Sequence, residues 1–235
     1  MPAASLREAL AALGPYFEVD RPDGSWQPLH VLLDSPGRLT ERVQAVRTAL
    51  GGDEVPVRVA ASVAQLGLVA RLLAPVFGAA VIDGRLLVLD DASWRPVVGG
   101  PMPLALPDAA LGGVPYDSLV VGIGERVLSG PVRALVDLTA GLSVSPKVLW
   151  GNVASAINGA ATMVARARPD LDVRSQLLAG RLLDLPVLRG SATGVPGVDF
   201  RRRSCCLLYR LGPAAPKAVC GDCVIVGVNP GFPGQ

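Results

Sequence analysis

Four cysteines, Cys205, Cys206, Cys220 and Cys223, crowd into 19 residues of a 235-residue chain. If these thiols act together, the segment that carries them must fold back on itself. The chain offers one imidazole, His30. A single histidine excludes His-rich zinc sites and the two-histidine ligation of a Rieske centre. It also leaves a Ser-His-Asp triad one possible base, and between Leu29 and Val31 this histidine reads as a core or loop residue. The cysteine spacing is an adjacent pair, thirteen residues, then Cys-x-x-Cys. That is a complete tetrahedral set of four thiolates for zinc or for an iron–sulfur cluster. In Cys220-Gly221-Asp222-Cys223, glycine permits the turn and backbone N–H groups can bond sulfur. Asp222 is expected to order that turn rather than act as an acid. Cys205 and Cys206 are harder to use together, because neighbours on a strand point to opposite faces. Both can ligate only if the chain bends there. A broad two-iron cluster tolerates this better than one zinc, so the spacing favours [2Fe–2S] and leaves zinc open.

The rest of the chain has ample material for a core, with 50% hydrophobic residues but 4% aromatic ones. Helical periodicity predicts helices over 6–13, 39–50, 57–73, 119–142 (with a break at Gly130-Pro131), 147–166 and 171–185. Ser5 and Ser145 are the expected caps of the first and fifth, with Pro146 at the first helical position of the latter. Asp83-Gly84 between two apolar runs signals a hairpin. The Pro/Gly-rich stretch 92–117 reads as a connecting loop with one extended piece, and 187–200 reads as loop. The expected divisions are a helical part with a hairpin at 1–91, the connecting loop at 92–117, a helical part at 118–200 and a cluster-binding segment at 201–235. Within the last, 207–211 is expected to be a strand and 212–216 a turn. The fold class is therefore α+β: a mostly helical scaffold with a short β-hairpin and a C-terminal cluster-binding hairpin that carries the four cysteines.

Charge and hydropathy narrow the partners. Residues 189–235 hold six basic against two acidic residues, so the cysteine segment carries the positive charge of a chain whose net charge is +2. That patch is too small and local to suggest nucleic acid. Residues 63–82 have the length to span a bilayer. Gln65, Arg71 and Pro75 interrupt them, and Arg71 would sit near the bilayer centre, which favours a core helix and leaves at most peripheral membrane contact. Arg7 and Glu8 fall where the apolar core of a signal peptide would run. The expected location is the cytoplasm, where paired thiols are metal ligands or redox groups rather than structural bridges.

The run Arg203-Ser204-Cys205-Cys206-Leu207-Leu208-Tyr209-Arg210, followed by Cys220-Gly221-Asp222-Cys223, resembles the C-terminal [2Fe–2S] motif of the FhuF-like ferric-siderophore reductase family. In that motif about ten residues separate the cysteine pairs, and the longer gap here is assigned to the Pro/Ala turn at 212–216. Leu149-Trp150-Gly151-Asn152 is similar to a segment upstream in the same family. The resemblance implies a cytoplasmic one-electron reductase of ferric siderophores, with a [2Fe–2S] cluster on Cys205, Cys206, Cys220 and Cys223. Arg201, Arg202, Arg203, Arg210 and Lys217 would then surround a negatively charged cluster. They could also steer an anionic ferric chelate towards it. A dinucleotide-binding turn is not apparent, since Gly122-Ile123-Gly124 is followed by Glu125, Arg126 and Val127. An external electron donor, a small redox protein, is therefore expected. Two other readings stand beside this one: a zinc-stabilised binding module, and an iron–sulfur electron carrier without a substrate of its own.

Overall fold

The computed structural model describes residues 2–97, 99–113, 118–211 and 221–224. In chain order its elements are α1 (Ala3–Ala11), β1 (Gln27–Pro28), α2 (Leu29–Leu33), α3 (Pro36–Leu50) and α4 (Val57–Asp83). Then come β2 (Ser93–Trp94), β3 (Leu104–Ala105), α5 (Asp108–Leu111), α6 (Leu119–Gly122) and α7 (Arg133–Ala140). The last are α8 (Pro146–Ala167), α9 (Asp172–Leu183), β4 (Ala192–Thr193) and β5 (Arg201–Arg202). The fold is 60% helical with two small antiparallel sheets, a mostly helical α+β architecture as the sequence predicts.

The scaffold is organised on α4. This helix is apolar all round, and such a helix is stable only when surrounded by protein or lipid. Here α8 covers it most extensively, with α3 beside it. In both α4 and α8 an 18-residue window is long and apolar enough to cross a membrane, yet 78% and 67% of those windows are buried within the fold. Arg71, the charge that argued against a membrane span, is 3% exposed. Its Nε donates to the Met102 carbonyl at 2.7 Å and its Nη1 to the Tyr16 carbonyl at 2.9 Å, while Nη2 donates to the Glu18 carbonyl. Burial pushes its pKa down to about 10. Close packing also depends on Gly78, where a Cβ would lie 2.7 Å from Leu10 Cδ2 and 2.9 Å from Phe17 Cδ1. A continuous apolar core extends from Leu6 on α1 to Leu188 after α9.

Several local expectations hold. Ser145 caps α8 with Pro146 behind it, and α3 stops at Gly51. The break at Gly130-Pro131 is present: Gly130 leaves helical geometry within a wide-turned stretch, Ile123–Val132. Others are corrected. The first helix starts at Ala3 behind Pro2, so Ser5 is not its cap. The second starts three residues earlier than its apolar stripe, at Pro36 behind the cap Ser35. The hairpin at Asp83-Gly84 does not form. The helix runs on through Pro75, and Gly84, at φ 66°, is its left-handed C-terminal stop. Asp-Gly serves a tight hairpin and a helix end equally. In an apolar run without a polar stripe, periodicity does not mark where the helix ends. Among its described residues, the stretch expected as a connecting loop with one extended piece holds two short strands, β2 and β3, and the short helix α5. Its β2 pairs with β1 and β3, aligning Trp94 with Gln27 and Leu104.

Candidate metal centre

The cysteine segment is presented by a hairpin. β4 and β5 pair antiparallel, with Ala192 opposite Arg202 and Thr193 opposite Arg201. Strand alternation continues along the chain, so Arg201 and Arg203 are exposed while Arg202 and Ser204 are buried. The chain then turns. Leu207 has φ 71°, and its N–H donates to Cys205 Sγ at 3.3 Å. This is the bend that an adjacent cysteine pair requires. It also ends the extended run, so the expected strand at 207–211 is replaced by a 3-10 turn, Leu208–Leu211. The expected turn at 212–216, Lys217 and Cys220 lie outside the described residues.

Cys206 and the turn that carries Cys223 are anchored from the helices. Cys206 is 3% exposed, and its carbonyl accepts from Ser62 Oγ on α4 at 2.9 Å. Cys223 is buried in the return turn, where the Asp222 carbonyl accepts from the Arg202 N–H at 3.2 Å. The Asp222 carboxylate accepts from Ser155 Oγ at 2.5 Å and Asn158 Nδ2 at 3.2 Å, both on α8. Asn158 Oδ1 in turn accepts from the Gly197 N–H at 2.8 Å. Asp222 thus orders the turn. Burial pushes the Cys205 thiol pKa up; the Leu207 N–H opposes this, the Cys206 and Cys223 thiols add to it, and Arg202 opposes it. Asp222→Ala strands a buried hydroxyl and a buried amide, so a stability loss of about 1–3 kcal/mol is expected in urea denaturation. Asp222→Asn, which keeps an acceptor oxygen, should lose less.

Gly151 and Asn152 meet this segment from the other side. Ser204 Oγ occupies the space that a Cβ at Gly151 would need. Asn152 is fully buried and joins three elements. Its Nδ2 donates to the Ser62 carbonyl at 3.0 Å and to Gln65 Oε1 at 2.8 Å, and its Oδ1 accepts from Arg202 Nη2 at 2.5 Å. Trp150 instead stacks with Arg133, 5.3 Å from its ring centroid. Gly151→Ala should therefore destabilise the protein by about 1–3 kcal/mol through overpacking. Adding Ser204→Ala, which removes the clashing oxygen, should recover most of that loss in a double-mutant cycle.

Of the residues expected near the site, Arg201, Arg202 and Arg203 line one cavity of about 510 Å³ with Lys147, Thr193 and Cys223. Arg210 rests on its neighbour Tyr209. Sequence reasoning missed Ser62, Gln65, Lys147, Ser155 and Asn158. A signal for two of them exists: Asn152, Ser155 and Asn158 recur every third residue in an otherwise Ala-rich helix, one polar stripe on one face.

Residues 202–224 match the family model described as the FhuF 2Fe-2S C-terminal domain. In this segment the chain is FhuF-like. No curated protein matches the chain. The FhuF-like domain has a [2Fe–2S] cluster as its cofactor, and its family points to a role in siderophore iron. Among the described residues, no three His, Cys, Asp or Glu side chains form a ready metal cage. The residues nevertheless suit an anionic iron–sulfur group on two counts. Thiols are its ligands. In addition, the buried donors Arg202 Nε and Nη1, Gln65 Nε2 and Ser204 Oγ lack a partner among the described residues. A cluster's sulfur atoms would supply the missing acceptors.

Proposed function

We propose that this protein is a cytoplasmic ferric-siderophore reductase, with Cys205, Cys206, Cys220 and Cys223 holding its [2Fe–2S] cluster. One observation carries the reading. Cys223, in the FhuF-like segment, borders a cavity of about 510 Å³ whose charged lining among the described residues is Lys147, Arg201, Arg202 and Arg203. The cluster supplies one electron at a time when bound. The cationic wall would attract an anionic ferric chelate and hold it against the Cys223 side. The chelated iron gains one electron and goes from Fe(III) to Fe(II), and hard oxygen ligands bind Fe(II) less well. A small redox protein provides that electron from outside, one per turnover. No bond to the protein forms or breaks and no general base is needed, which suits a chain with one histidine, exposed on α2.

The test is a stopped-flow reaction of anaerobically reduced protein with a ferric tris-catecholate, following cluster reoxidation and trapping Fe(II). Stoichiometric transfer supports the reading. A reduced protein that transfers to no ferric chelate is a carrier, and a colourless protein with one tightly bound zinc overturns the cluster. Neutralising Lys147, Arg201 and Arg203 to Gln should slow the catecholate reaction roughly tenfold at low salt. The deficit should shrink near physiological ionic strength, where the screening length is about 8 Å.

A further inference from the structure

Between α4, α8 and β5 lies a buried cluster of polar side chains in which, among the described residues, several donors have no acceptor. Arg202 is 1% exposed, and its side chain donates from Nη2 to Asn152 Oδ1. The orientation of that amide is fixed, because Asn152 Nδ2 is held by Ser62 and Gln65. Its oxygen therefore has to face the guanidinium. Arg202 Nε, Arg202 Nη1, Gln65 Nε2 and Ser204 Oγ are then left over, all buried and all without a partner among the described residues. The carboxylate of Asp222, whose backbone carbonyl meets the Arg202 N–H, is already engaged by Ser155 and Asn158. A buried cation without a counter-charge is strongly unfavourable. Arg202 also lines the same cavity as Cys223, and its backbone N–H holds the turn that carries that cysteine.

We propose that Arg202 is the internal counter-cation of the cluster, a positioning and tuning residue whose free N–H groups bond cluster sulfur. The assignment rests on the reading of the four cysteines as cluster ligands. A positive charge at this place favours the reduced, more negative state and so raises the reduction potential. It also makes cofactor and fold mutually dependent. With the cluster present the guanidinium is neutralised; without it, the charge stays buried with no counter-charge among the described residues.

Arg202→Gln tests this, because glutamine keeps an N–H for Asn152 and removes the charge; Arg202→Lys keeps the charge and loses the fork. Redox titration of reconstituted Arg202→Gln should give a more negative midpoint potential than wild type, with Arg202→Lys in between or near wild type. Iron loss to a chelator should be about 10–100-fold faster in the glutamine variant. In urea, apo Arg202→Gln should unfold at a midpoint no lower than that of apo wild type. If the glutamine variant fails to fold, labelling the wild type with ¹⁵N-arginine gives a second readout. Pulsed EPR of the reduced cluster should then show a hyperfine coupling to arginine nitrogen. An unchanged potential, or no arginine coupling, overturns the assignment and leaves Arg202 as a structural tie. A wild-type protein that assembles no cluster instead overturns the cysteine reading beneath it.

Discussion

Replacing either buried cysteine, Cys206→Ser or Cys223→Ser, is expected to abolish cluster assembly. The serine hydroxyl stays protonated near neutral pH, whereas the ligand to iron must be the anionic form. A two-iron cluster with three thiolates has one iron under-ligated and open to water. Iron and acid-labile sulfide, together with visible absorption, should fall to background after anaerobic reconstitution. The helical scaffold should survive, because the apolar core runs from Leu6 to Leu188 and does not need the thiols. Far-ultraviolet dichroism should therefore stay close to wild type. A coloured Cys223→Ser protein with full iron content would remove Cys223 from the ligand set.

The largest effect on folding is expected from Arg71→Met. Three backbone carbonyls, those of Tyr16, Glu18 and Met102, take their bonds from this one guanidinium. Methionine fills a similar volume and leaves all three without that donor. Stranding buried acceptors costs about 1–3 kcal/mol each before relaxation. With three carbonyls involved, a stability loss of about 3–5 kcal/mol in urea denaturation is expected. Much of it reflects loosening of the segments around Tyr16 and Met102, which Arg71 ties to α4. A loss below about 1 kcal/mol would mean that water replaces the guanidinium there.

The sequence makes legible what repeats or clusters. The serine cap of α8 and the break at Gly130 follow from local chemistry. So does the bend at the cysteine pair, because two neighbouring thiols can act together only if the chain turns between them. What stays hidden depends on tertiary partners. β4 and β5 have two residues each, too few for a period of two to register. Asp83-Gly84 carries a turn signal that a helix end satisfies equally. Ser62 and Gln65 look like stray polar residues in an apolar helix until α8 brings Asn152 against them. Likewise, Gly151 is one glycine among 27 until Ser204 occupies the place of its missing Cβ.

Arg201, Arg202 and Arg203 read as one basic patch, but strand alternation gives them separate surroundings: solvent, interior, solvent. Order within the triplet therefore matters more than its total charge. Deleting one arginine would move Ser204 into the register position of Arg203 and shift both cysteines by one place against Ser62 and Asp222. Lengthening or shortening this triplet is a frameshift in three dimensions. Among natural variants, the length of the triplet should be more tightly held than the charge of its outer members.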